Sequence, residues 1–393
     1  MTRVPHDALE ADVVDRVCAA QPDLIGVSLT TRQWPRARGL VPAIKRATRV
    51  PVLAGGMHAT FSSEAVLANH GFDYICLGEG EEASLDLVTA LERGGDTRSI
   101  SNIWKRGAAR PPIRRPLPSL DDLPFMARDM LDEYEGCVHM TTQRGCPFRC
   151  TYCGARMFNE LYRGIGEYCR RRSQRSVLDE LSAIRQVGPL NYVIFLDDTF
   201  TINHPWVVDF CRAYTEQVHV PFSLHARVDT VNRRILDALA TAGCRQITYG
   251  VESGSYRIRK DVMRRPVTDQ RIKDAFLWTR EAGIAVTANY MLGLPDETRD
   301  DLQRTLDLAE ELEALDIGFF VFYPYPGTHL FNHCRERGYL PNDHLDSGAD
   351  HRTSILNLPT LEPSDIAEYY ERFAELRMRL SERRIGCCWP ASG

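Results

Sequence analysis

Lysine is nearly absent from this 393-residue chain: Lys45, Lys105, Lys260 and Lys273 are the only four among 48 basic residues, so the other 44 are arginine. The skew reports a GC-rich genome more than a chemical need, yet it leaves many fixed cations for carboxylate or phosphate ligands. A net positive charge is also missing. The formal charge is -5, which argues against a general nucleic-acid binder. No stretch approaches the roughly 20 apolar residues of a membrane span, and the opening MTRVPHDALEADVVD has no apolar signal core. A cytoplasmic chain is expected. Twelve cysteines in a long leaderless sequence then fit a reducing compartment rather than a disulfide scaffold. The length allows two or three domains, with the apolar and charged content of a globular protein.

Three of the cysteines stand close together. In TTQRGCPFRCTYC, Cys146, Cys150 and Cys153 have a C-x3-C-x2-C spacing and follow a short run, Val138 to Thr142, that reads as a strand. Three thiolates on one tight loop can hold three corners of a cubane iron–sulfur cluster, leaving the fourth iron without a protein ligand. A zinc knuckle is the alternative, but zinc wants a fourth ligand nearby, and no histidine follows within thirty residues. With an aromatic residue before its last cysteine, the loop resembles that of the radical S-adenosylmethionine (SAM) enzymes. That resemblance implies a 4Fe–4S cluster held by Cys146, Cys150 and Cys153, and SAM chelated at the open iron.

Residues 1 to about 100 alternate helices with short apolar runs: LIGVSL (24–29), VPVLAGG (50–56) and YICLG (74–78), with helices at 9–20, 36–47, 62–69 and 81–93. Such alternation implies a parallel sheet covered on both faces, with ligands beyond the carboxyl ends of its strands. Ser28, Thr30, Gly55 and Gly56 fall at those ends, where the double glycine either admits a bulky ligand or only makes a tight turn. The segment, with GGMHATF and LGEGEE, resembles the cobalamin-binding domain found ahead of many radical SAM enzymes. The resemblance puts Ser28, Thr30, Gly55 and Gly56 on the cobalamin tail. It departs in one respect: the family's first strand and its D-x-H-x-x-G loop are missing, which suggests a start upstream of Met1 or a degenerate domain. His6 and His58, the nearby imidazoles, read better as structural residues than as cobalt ligands.

From 101 to 135 proline, arginine and aspartate dominate, and an extended linker without regular elements is expected. A core domain over 136–330 then carries six strand–helix units in strict alternation, ending in strands at 192–198, 222–229, 246–253, 285–295 and 318–325 after the first. This predicts a partial (β/α)6 barrel, the radical SAM architecture, preceded by a truncated doubly wound domain of the same α/β class. A helical extension, 331–393, would cover the barrel bottom or the active site.

Chemistry is expected at the strand ends. Asp197 and Asp198 fall where the family receives the SAM amino group, although Asp198 also reads as a helix N-cap. Arg227 could fork onto a carboxylate of SAM or substrate, or simply pair with Asp229. Glu252 and Ser253 in GVESGS match the family's contacts to the SAM ribose and carboxylate, and Gly293 in MLGLPDET its adenine side. Cys169, Cys211, Cys244, Cys334, Cys387 and Cys388 match no second cluster spacing. The resemblance covers about residues 9–335 and implies a small-molecule substrate and an electron donor such as flavodoxin or ferredoxin. The expected activity is cobalamin-dependent methylation of an unactivated carbon in secondary or antibiotic metabolism. A barrel with a vestigial first domain, carrying out dehydration, deoxygenation, decarboxylation or cyclisation, is the second reading, and an iron–sulfur sensor the third.

Overall fold

The computed structural model describes residues 6–128, 136–342 and 350–386. It divides into two compact units, one formed by Met1–Pro116, Glu160–Gly166 and Pro324–Asp350, the other by Leu117–Asn159, Glu167–Tyr323 and His351–Gly393.

The first unit holds a four-stranded sheet in the order β1 (Ile25–Ser28), β2 (Val52–Gly55), β3 (Tyr74–Cys76), β4 (Ile103–Lys105). β1, β2 and β3 are parallel. β2 and β3 are buried along almost their whole length, as strands covered on both faces must be, while β1 alternates between half-buried and exposed residues and forms an edge among the described residues. Leu29, Trp34, Val52, Phe72 and Ile75 lie at the centre of its core. Two expectations need correction. β2 stops at Gly55, and Gly56, at φ 88°, turns the chain at once into the helix Gly56–Phe61. And β4, antiparallel to β3, lies inside the segment expected to lack regular structure. Its three residues, Ile103, Trp104 and Lys105, precede the first proline of that stretch, so their N–H groups are free to pair.

In the second unit the strands are β5 (Cys137–Met140), β6 (Gln143–Arg144), β7 (Arg170–Arg171), β8 (Tyr192–Phe195), β9 (Phe222–Ala226), β10 (Cys244–Glu252), β11 (Ala285–Leu292) and β12 (Asp316–Val321). β6 and β7 form a small antiparallel ladder of their own. The other six make one all-parallel sheet in the order β12-β11-β10-β9-β8-β5, the curled half-barrel of a (β/α)6 fold. Each strand neighbours the next in sequence, as right-handed crossovers through the intervening helices require. Phe195 is fully buried and meets Phe200, Phe210, Tyr214 and Phe222 at ring-centroid distances of 5.1, 5.6, 6.4 and 5.5 Å, tying β8 and β9 to the helix His204–Gln217. The sixth helix is Pro363–Gly386. Its Phe373 packs on Tyr290 of β11 at 5.4 Å, its Tyr370 on Phe319 of β12 at 4.8 Å, and Arg377 bonds Asp316 at 3.0 Å. It therefore closes the side of the sheet. Among the described residues no helix is long and apolar enough to cross a membrane.

The turn after β11 is built around a carboxyl group. Gly293 (φ 75°) and Asp296 (φ 61°) both take left-handed backbone, and Glu297 accepts from the N–H groups of Gly293 (2.7 Å) and Leu294 (3.0 Å) through one oxygen. Its other oxygen meets no protein donor among the described residues, and the residue is 0% exposed. Burial pushes its carboxyl from 4.5 up to about 8, against the two backbone bonds that lower it. The folded chain thus holds a proton that the unfolded chain releases, and stability from this group falls as pH rises between those two values. Glu297→Gln keeps the two accepted bonds and cannot ionise. Denaturant titrations from pH 5 to 9 should show a flatter stability profile for the variant, with its advantage over the parent largest above pH 8.

Candidate active site

The cysteine loop leaves the carboxyl end of β5 and is held from several sides. The Gln143 amide donates to the carbonyls of Gly145 (3.3 Å) and Thr199 (3.0 Å), and Asn159 donates to that of Cys146 at 2.8 Å. Farther along, Thr151 donates through its N–H to Met263 (3.2 Å) and through its hydroxyl to Val262 (2.7 Å). Gly145, at φ 76°, must be glycine because a Cβ there would meet the Tyr168 ring at 2.6 Å. Cys146 and Cys150 are buried and Cys153 partly so, all as free thiols. Burial pushes the Cys146 thiol up and that of Cys153 up to about 12, with Asp198 and the neighbouring sulfurs adding to both. Burial thus favours the neutral thiol at Cys146 and Cys153, and three sulfurs on one tight loop suit a centre that supplies several irons. Among the described residues no group of three or more His, Cys, Asp or Glu side chains converges as a single metal ion requires. A cubane has no such need, since each thiolate takes a different iron.

Asp197 and Asp198 divide in role. Asp197, 1% exposed, accepts from the Thr142 N–H (2.7 Å), the Thr142 hydroxyl (2.8 Å) and the Gln143 N–H (2.8 Å). Burial pushes it up to about 6 in spite of these bonds. Its oxygens are spent on the start of the cysteine loop, so the expectation that it receives the SAM amino group gives way to a bracing role. Asp198, next to it, keeps exposed surface while desolvation by surrounding protein holds its carboxyl above the usual range. Arg227, at the end of β9, does pair with Asp229, through Nε at 2.9 Å and Nη2 at 2.7 Å. It also lies over the Phe148 ring, 3.7 Å from the centroid, and reaches the Cys150 Sγ at 3.4 Å.

Glu252 ends β10 in left-handed backbone, φ 71°, just past a break in register. A carboxylate residue held there stores strain that the surrounding packing must impose. Its carboxyl folds over Gly250, where any Cβ would collide with it, and accepts from the Tyr152 hydroxyl at 3.3 Å, with Arg265 at 3.8 Å. Desolvation raises its pKa, while Arg265 and Tyr152 pull the other way. Tyr152 is the aromatic residue of the cysteine motif, so the loop and β10 meet through this bond. Ser253 is different. It is 0% exposed, its hydroxyl contacts that of Thr305 (3.2 Å) and accepts from the Ser255 N–H (3.1 Å), and the expected contact to SAM gives way to an internal bond. Gly293 is required by its own packing, since a Cβ would meet Ile366 at 2.9 Å. Gly250, Arg265 and Glu297 were not expected from sequence. For Gly250 and Glu297 the signal was present in GVES and GLPDET, but only coordinates tell what each glycine or acid faces.

In the first unit, Ser28 and Thr30 are exposed at the end of β1. Thr30 donates from both its N–H and its hydroxyl to the Gln33 side chain, each at 2.9 Å. Gly56 packs on its own sheet, because a Cβ would meet the Leu29 carbonyl oxygen at 2.8 Å. Above Gly55, nothing among the described residues lies within 4 Å of the Cβ position. Of the two glycines, then, Gly56 makes the turn and Gly55 leaves open space that a ligand can enter. His58 is buried beside Trp34 (5.0 Å), with Nδ1 3.2 Å from the Thr31 hydroxyl, and burial lowers its pKa to about 4. It is a neutral core imidazole. The side chain of His6 and both Cys387 and Cys388 lie outside the described residues. In the LGEG turn, Tyr162 accepts from the Glu79 N–H at 2.7 Å and fills the space beside Gly78 (φ 74°), a lock not foreseen from sequence.

Comparison with known proteins agrees with both halves. Residues 140–309 match the model of the radical SAM superfamily, and residues 2–88 that of the B12 binding domain. The uncharacterized methyltransferase PH0819 of Pyrococcus horikoshii is 30% identical over 344 residues, 84% of this chain and 73% of that protein. The anaerobic magnesium-protoporphyrin IX monomethyl ester cyclase of Rubrivivax gelatinosus is 24% identical over 351 residues, 84% of this chain and 62% of its own. Among solved structures, the radical SAM methyltransferase TsrM from Kitasatospora setae, with cobalamin and a 4Fe–4S cluster bound, shares the fold with a TM-score of 0.68 at 19% identity, over 84% of this chain and 67% of that one. A radical SAM domain implies a 4Fe–4S cluster and SAM as cofactors, and the B12-binding domain supports cobalamin. The chain belongs to the radical SAM superfamily, in its cobalamin-dependent, methyltransferase-like branch.

Proposed function

We propose that this enzyme transfers a methyl group to an unactivated sp3 carbon of a small-molecule substrate, using cobalamin as methyl carrier. The observation that carries the reading is the pairing in one chain of the three-thiol loop with a sheet whose carboxyl end leaves Gly55 open to a bulky ligand. When bound, the cluster would supply the electron for reductive cleavage of the SAM sulfonium bond, the source of a hydrogen-abstracting 5'-deoxyadenosyl radical, and cobalamin would supply the methyl group.

The chain's own residues bind and orient. Cys146, Cys150 and Cys153 hold three irons. Asp198 accepts from the SAM ammonium, and Glu252 accepts from its ribose hydroxyls. Tyr152 holds the Glu252 carboxyl in place from the cysteine loop, and the Gly293 turn, clamped by Glu297, shapes the adenine side. Ser28, Thr30 and Gly55 line the cobalamin tail. Burial of Cys146 and Cys150 keeps water from the sulfurs of a radical site. An electron carrier such as flavodoxin or ferredoxin would supply the reducing electron. The second reading, a cyclisation or another radical reaction without methyl transfer, is favoured by the cyclase relative.

Three measurements test the proposal. Anaerobic reconstitution should give about four irons per chain, and Cys150→Ala should lose both the cluster and SAM cleavage; full activity in that variant would sink the assignment. Loss of the charge-assisted bonds to Glu252 costs about 1.5–3 kcal/mol, so Glu252→Ala should bind SAM about ten- to a hundredfold more weakly by calorimetry. With methyl-deuterated SAM, the label should appear in bound corrinoid and in product, with S-adenosylhomocysteine and 5'-deoxyadenosine formed together. Formation of 5'-deoxyadenosine alone, with no corrinoid absorption and no label transferred, hands the case to the second reading.

A further inference from the structure

Arg227 is held with more precision than an ion pair to Asp229 requires. Nε and Nη2 fork onto the two Asp229 oxygens at 2.9 and 2.7 Å, one face of the guanidinium lies 3.7 Å from the centre of the Phe148 ring, and the remaining nitrogen, Nη1, points at the Cys150 Sγ from 3.4 Å. The backbone is fixed as well, since the Arg227 carbonyl accepts from the N–H (3.1 Å) and hydroxyl (2.9 Å) of Thr230. Arg227 is 6% exposed and Cys150 7%, whereas the Asp229 side chain keeps 30% of its surface. The counter-charge is thus partly solvated, while the N–H that faces sulfur is dry. Lysine could not serve three partners at once; a planar fork with five donors can.

We propose that Arg227 is a positioning residue that sets the reduction potential of the cluster through its hydrogen bond to the Cys150 sulfur, an inference that rests on Cys150 being a cluster ligand. Reduction places one more negative charge on the cluster and its sulfurs. A donor and a cation in a water-excluded contact stabilise that charge more than they stabilise the oxidised state, so the potential rises and a carrier of moderate strength can deliver the electron. Phe148 and Asp229 act through Arg227. The ring blocks one face of the guanidinium, and the carboxylate fixes its rotation so that one edge is left for sulfur.

The experiment is a redox titration of the reconstituted protein with titanium(III) citrate in the absence of SAM, followed by the electron paramagnetic resonance signal of the reduced cluster. Leaving SAM out separates this role from any contact between Arg227 and the SAM carboxylate. Arg227→Met should retain about four irons per chain and shift the one-electron reduction equilibrium at least tenfold toward the oxidised state, a fall of about 59 mV. Arg227→Gln, which is neutral but keeps a donor, should fall by less. A Met variant with a full cluster and the parent's potential overturns the proposal. If the Met variant loses its iron, Arg227→Gln decides by the same criterion, and loss of the cluster in both also overturns it, leaving Arg227 a residue needed to form the loop. Failure of the underlying cluster assignment looks different: the parent protein then takes up no cluster, or Cys150→Ala keeps the signal unchanged.

Discussion

A single buried carboxylate sets the geometry on which the rest of the site depends. Asp197, at the carboxyl end of β8, accepts three hydrogen bonds from Thr142 and Gln143, the two residues that lead into the cysteine loop. A charge this deeply buried is tolerated only when its oxygens are satisfied, and satisfying them fixes the loop's point of departure to the neighbouring strand. From there the Gln143 amide ties the loop to Gly145 and Thr199, and Thr151 ties its far end to the segment after β10. The three sulfurs are gathered as a consequence of this framing rather than by any bond among themselves.

The same economy appears at β10. Its end carries Glu252 in a backbone conformation that a carboxylate residue rarely takes, and the packing of Gly250, Tyr152 and Arg265 around it keeps it there. Because Tyr152 belongs to the cysteine motif and Arg227 of β9 reaches Cys150, the loop is read by two strands at once: β10 through a carboxyl group and β9 through a guanidinium. The first unit has its own division of labour between paired glycines. Gly56 is demanded by its own sheet, and Gly55 faces open space, so a dipeptide that looks uniform in sequence splits into a turn and a ligand face.

The sequence by itself determined the α/β class, the six strand–helix units, the three thiols and the placement of candidate groups at strand ends. It could do so because hydrophobic periodicity and cysteine spacing are local properties, and because a parallel sheet offers ligands only one end. Tertiary structure decided which of two adjacent residues is spent on an internal bond. Asp197 turns inward to brace the loop while Asp198 stays exposed; Ser253 seals into an internal bond while Glu252 remains beside Tyr152. It also decided that Arg227 serves a sulfur as well as Asp229, that β4 joins the first sheet, and that Pro363–Gly386 is the sixth barrel helix. The reason is the same in each case: whether a polar side chain is spent internally or left for a ligand depends on partners distant in the chain, such as Thr142 for Asp197 or Thr305 for Ser253, and only folding brings those within hydrogen-bonding distance.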